Sequence, residues 1–88
     1  MPVDVAEQTR NIYATFALVM QEAGGELADI VRLRPFITGV AYCEAVLKVQ
    51  GEIFGAIRPA ATIVVVSALF TPEMKVEIEA DARLARKQ

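Results

Sequence analysis

The sequence predicts an α+β domain in which two helices lie on one face of a small mixed sheet, in the order α-β-α-β-β. Three observations carry this expectation. Two stretches repeat apolar residues at steps of three and four, the period of a helix with one buried face. Three others alternate or run continuously apolar over strand-like lengths. Glycine and proline fall between these stretches. With 88 residues the chain is long enough for one domain.

The first helix is expected over Val5–Ala23. Asp4 and Glu7 have the spacing of a capping box, and Ile12, Phe16, Val19, Met20 and Ala23 share a face. Gly24-Gly25 ends it, since glycine takes the left-handed conformation common at helix C-termini. A strand is expected over Ile30–Thr38, with Val31, Leu33, Pro35 and Ile37 on the apolar face. Pro35 cannot donate a ladder hydrogen bond, which argues for an edge position or a bulge. The second helix is expected over Tyr42–Phe54, with Val46, Val49 and Ile53 on its stripe, ending at Gly55. A strand follows over Ala61–Leu69. Its Ile63–Val66 core is apolar on both faces, as in a central strand covered on both sides. The last strand spans Met74–Ala82. Met74, Val76, Ile78, Ala80 and Ala82 face one way; Lys75, Glu77, Glu79 and Asp81 face the other.

Composition excludes several functions. The most apolar stretch, Ala60–Phe70, is far short of the about 20 residues a membrane-spanning helix needs. The N-terminus lacks the basic and apolar segments of a signal peptide, and one cysteine, Cys43, cannot form an intramolecular disulfide, so the cytoplasm is the default compartment. A net charge of −2 leaves no basic footprint for nucleic acid beyond the C-terminal Arg83, Arg86 and Lys87. The absence of histidine removes Ser-His and Cys-His machinery and makes a zinc site improbable. No cofactor motif is present, and Gly24-Gly25 lacks the lysine and spacing of a phosphate loop. Apolar residues make up 55% of the chain, a surplus for so small a domain. Self-association is the simplest way to cover them, and a homo-oligomer is expected.

Five pieces, in order, carry a resemblance to a known family: Thr9-Arg10-Asn11, Gly24–Thr38, Ile53-Phe54-Gly55, Arg58-Pro59-Ala60 and Met74–Ala80. Together, from about Thr9 to Arg83, they resemble the YjgF/RidA imine-deaminase (endoribonuclease L-PSP-like) superfamily. The resemblance implies a chorismate-mutase-like fold assembled as a homotrimer, with clefts between subunits. It also implies hydrolysis of a reactive enamine or imine, such as 2-aminoacrylate, to a keto acid and ammonia. Relatives carry a pair of strands ahead of the first helix, whereas this sequence begins just before that helix, which would leave a sheet edge unpaired. The family's carboxylate-gripping arginine matches Ala61, an asparagine of its second helix matches Leu47, and an occasional cysteine matches Ile63.

Of the matched site positions only the last-strand glutamate, Glu77, is kept. It is the candidate catalytic residue, able to orient the attacking water and carry its proton. Its alternation with Lys75, Glu79 and Asp81 also fits a solvated strand face, and Glu79 shares that face. Arg58, Arg34 and Arg32 are the candidate substrate-binding residues, since a guanidinium can offer two parallel hydrogen bonds to a carboxylate. Cys43, near a helix start but without a histidine, is a weak nucleophile candidate. Tyr13 and Tyr42 are expected in packing or an interface. The competing reading is a non-catalytic ligand-binding or scaffold trimer of the same fold, motivated by Ala61 and Leu47.

Overall fold

The computed structural model describes residues 4–84. Helix α1 runs Val5–Glu22, strand β1 Ile30–Ile37, helix α2 Cys43–Phe54, strands β2 and β3 Ala60–Ala61 and Val64–Val65, and strand β4 Val76–Ala82. Asp4 caps α1 by accepting from the Ala6 N–H at 2.8 Å. Glu7, expected to complete a capping box, pairs with Arg10 at 3.3 Å instead. Gly24, at φ 87°, ends α1 in the left-handed conformation as expected.

The end of α2 departs from expectation. Gly55 stays helical at φ −53°, and a Cβ there would sit 2.6 Å from the Gly51 carbonyl oxygen, so closeness rather than handedness calls for glycine. Arg58 makes the left-handed turn at φ 54°, after the Ile57 and Arg58 N–H groups both donate to the Phe54 carbonyl.

Strand β1 is the centre of the sheet. β4 lies antiparallel on one side, and β2 and β3 lie parallel on the other, as two pieces of one interrupted strand. This corrects two expectations. The Ala61–Leu69 stretch is not a continuous central strand but two short edge pieces, and Val65 is exposed. Pro35 lies in the central strand rather than an edge strand. The Leu33 and Ile37 carbonyls accept from Thr62 and Val66, so by alternation Pro35 turns its missing N–H toward the same side. There β2 has ended and β3 has not begun, so no ladder bond is lost.

A register irregularity between Ile30 and Arg32 shifts the faces of β1. Ile30 is buried, and Val31, expected inside, is 49% exposed. Both helices cover one sheet face. Tyr13 and Met20 of α1 and Val46, Val49 and Phe54 of α2 form a core with Leu33, Ile37, Val76 and Ile78. On α1, Val19 and Ala23 lie outside it, while the polar Gln8 and Thr9 are buried. Thr9 donates to the Val5 carbonyl at 2.8 Å. The Gln8 amide donates to the Glu73 carbonyl and accepts from the Lys75 N–H, tying the first turn of α1 to the entry of β4.

Tyr13 is 1% exposed, edge-on to Phe54 at 4.9 Å, with its hydroxyl donating to Gln50 at 3.2 Å. Burial pushes its phenol well above the ordinary value. The folded state therefore holds its proton where the unfolded state releases it, so the stabilising contribution is complete below pH about 10 and is lost as pH rises beyond it. Urea denaturation between pH 9 and 11 should show stability falling by up to about 1.4 kcal/mol per pH unit from this group. Tyr13→Phe should remove that component of the slope; an unchanged slope would assign the loss to other groups.

Candidate functional site

Among the described residues the second face of the sheet carries no helix. By the pairing of β1 with β4, Arg32 stands beside Asp81, Arg34 beside Glu79, and Phe36 beside Glu77. Arg32 reaches Asp81 at 2.8 Å and Arg34 reaches Glu79 at 3.6 Å. Both pairs are largely exposed, so each adds little stability, on the order of 0–1 kcal/mol. Their effect is to fix position. Glu77 makes no ion pair with any described residue and completes the row.

A hollow of about 370 Å³ opens on this face, lined by Phe36, Val66, Ala68, Leu69, Glu77 and Glu79. Its walls are apolar apart from the two carboxylates. The segment after β3 supplies one wall, and β1 and β4 supply the floor and the acids. An apolar wall beside a carboxylate suits the handling of a small neutral or polarised carbonyl-type group. Arg34 borders the acids and is engaged with Glu79. Glu77 also touches the rim of a 390 Å³ groove between α1 and β4. That groove is mainly apolar, and the Gln8 amide on it is occupied by Glu73 and Lys75.

Three of the four candidate residues, Glu77, Arg34 and Arg32, therefore share one face. Arg58 is exposed at the turn into β2, whose Ala60 is the neighbour of Arg32. Leu47 is 46% exposed on α2, Ala61 pairs with Leu33 at the end of β2, and Ile63 packs against the core. Cys43 is half-buried at the first turn of α2, and its N–H is already bonded to the Val40 carbonyl, so the helix start there is not open to a ligand. Tyr42 lies half-buried against the core with the Lys75 ammonium 5.4 Å from its ring centre. Sequence reasoning missed Phe36 and the Val66–Leu69 wall. Their signal was weak: Phe36 falls on the strand's polar face, the place where an isolated aromatic is out of pattern. Among the described residues no group of three or more Cys, Asp or Glu could hold a metal ion, and no helix is long and apolar enough to cross a membrane.

Comparison with known proteins bears on the same stretch. The endoribonuclease L-PSP family model matches residues 1–84. The structure of Rv2704 from Mycobacterium tuberculosis, described as a member of the YjgF/YER057c/UK114 family, is 39% identical with a TM-score of 0.92, over 96% of this chain and 71% of that one. The Escherichia coli YjgF gene product is 29% identical with a TM-score of 0.84, over 93% of this chain and 66% of its own. A RutC family protein of Pyrococcus abyssi is 30% identical over 79 residues, which is 90% of this chain and 61% of that protein. The chain thus spans about three fifths of the length of that curated relative. By family model, identity and fold together, this chain belongs to the endoribonuclease L-PSP (YjgF/YER057c/UK114) family.

Proposed function

We propose that this chain is an enamine/imine deaminase-like protein that hydrolyses a reactive small-molecule imine to a keto compound and ammonia. The observation that carries the reading is Glu77, a carboxylate with no ion pair among the described residues, beside an apolar hollow on the open sheet face. In this reading Glu77 accepts a proton from water as the water oxygen adds to the carbon of the protonated imine, giving a neutral carbinolamine. Glu77 then passes that proton to the nitrogen, the carbon–nitrogen bond breaks to release ammonia, and the hydroxyl proton returns to Glu77 and on to solvent as the carbon–oxygen double bond forms. An enamine enters the same route after protonation at carbon. No cofactor is required.

Arg34 is the best placed of the three arginines to hold a substrate carboxylate, because it already binds one in Glu79 beside Glu77. Arg32 stands one pair further along with Asp81, and Arg58 borders the same end of the sheet from the turn before β2. The open face is covered, in this proposal, by further copies of the chain, making a homotrimer with the hollow closed between subunits. The apolar surplus, and exposed residues such as Phe70 at 93%, support that assembly. Light scattering should then give three times the 9.6 kDa chain mass. A cytoplasmic location follows in the same reading.

Ala61 favours a second reading, a non-catalytic ligand-binding trimer of the same fold. The two separate on one variant. If Glu77 is catalytic and only the carboxylate grip is weak, Ala61→Arg should lower KM for 2-aminoacrylate by about tenfold, as one charge-assisted contact would, and leave kcat for an uncharged imine unchanged. A variant with no turnover of either, from wild type equally inactive, would favour the binding protein.

A further inference from the structure

We infer that the hollow beside Glu77 selects a small imine with an apolar substituent and no carboxylate. That its occupant is a substrate rests on the hydrolysis proposed above; the selectivity rests on what lines the hollow. The lining is Phe36, Val66, Ala68 and Leu69 with the carboxylates of Glu77 and Glu79, and among the described residues no cation is part of it. The nearby cations are engaged. Arg34 reaches Glu79 at 3.6 Å, Arg32 reaches Asp81 at 2.8 Å, and the Lys75 ammonium lies over the Tyr42 ring, 5.4 Å from its centre. With Glu79 balanced by Arg34, the charge left at the hollow is that of Glu77, which is negative.

That charge acts in opposite directions on two parts of a substrate. The protonated imine, the form to which water adds, is cationic at its reacting end, and a carboxylate alongside favours the charged form. A carboxylate on the same substrate meets Glu77 as like charge against like. Arg34 could accept that carboxylate only by releasing Glu79, which returns a second unbalanced acid to the hollow, so the exchange gains no net cation. Glu79 is therefore a specificity-determining residue: it occupies the guanidinium in place of a substrate anion. An apolar substituent meets no such opposition. Phe36, Val66 and Leu69 are half-buried, so a ligand that covers them removes further apolar surface from water. At about 370 Å³ the hollow is near the low end of the roughly 300–1,000 Å³ range of small-molecule pockets, which suits a substituent of a few carbon atoms.

Binding of two product analogues tests the selectivity without requiring turnover. Methyl isobutyl ketone and the corresponding keto acid share a carbonyl and an isobutyl group, and differ only in a methyl against a carboxylate. Titrated by NMR into the whole folded protein, the ketone should shift the amides of Phe36, Leu69 and Glu77. It should bind about tenfold or more tightly than the keto acid, the discrimination expected from one opposed charge. Salt should narrow that difference. Glu79→Gln should tighten the keto acid by about tenfold, because Arg34 is freed, and change the ketone much less. Leu69→Ser should weaken the ketone severalfold, because part of the apolar wall is gone. Equal or tighter binding of the keto acid by wild type, or no binding of either, would overturn the inference. Ketone-selective binding by a protein that hydrolyses no imine would uphold the selectivity and remove the deaminase reading. Hydrolysis confined to carboxylate-bearing imines would do the reverse.

Discussion

Glu77→Gln is expected to lower imine hydrolysis by roughly 10²–10⁴-fold, the range typical for removal of a positioned general base. Glutamine keeps the shape and a hydrogen-bonding oxygen but cannot take the proton from water. The decrease should appear in kcat, with KM little changed, because the interaction matters as the water attacks. Glu79→Gln makes the comparison informative. Glu79 lines the same hollow but is held by Arg34. Its replacement frees Arg34 and should act on KM for carboxylate-bearing imines, with a much smaller effect on kcat. Equal losses from both variants would show that the acidic row acts as a general field, without a specific base. A larger loss from Glu79→Gln would move the proton transfer to that residue.

Leu33→Ala should destabilise the domain by about 2–5 kcal/mol, the range for a buried leucine whose cavity cannot collapse. Leu33 is 0% exposed, and it lies on the strand that every other strand joins. The strands on both sides and the helices above hold the cavity open. For a chain of 88 residues total stability is roughly 4–13 kcal/mol at about 0.05–0.15 kcal/mol per residue, so this single change removes a large fraction of it. Arg34→Ala, one residue along on the open face, should cost less than about 1 kcal/mol. Urea midpoints at one fixed protein concentration check both, since an oligomer's midpoint depends on concentration. A small loss from Leu33→Ala would mean that the core is not centred on β1.

The helices and the last strand were legible because their signals are local. The three-and-four repeat of Val46 and Val49 and the strict alternation around Val76 and Ile78 depend only on each segment's own period. The middle of the sheet was not. An apolar run such as Ile63–Val66 fits a covered central strand and an edge awaiting a partner equally well, and here it is broken at Thr62-Ile63. Pro35 suggests an edge, yet its missing N–H meets the gap between β2 and β3, a fact about two other segments. The irregularity at Ile30/Arg32 moved Val31 outward, because one extra residue exchanges the two faces of a strand. The site was half-visible for the same reason. Alternation put Glu77, Glu79 and Asp81 on one face, but which arginine meets which acid depends on register between β1 and β4, residues more than 40 positions apart in sequence.

The most direct test of the proposed activity is ammonia release from freshly generated 2-aminoacrylate and from an uncharged imine, by purified wild type whose mass and folding have been measured. The account predicts release well above the spontaneous rate, proportional to protein concentration while the oligomer stays intact. Release at the spontaneous rate for every imine, from folded and oligomeric protein, would contradict it and leave a binding protein built on the same fold.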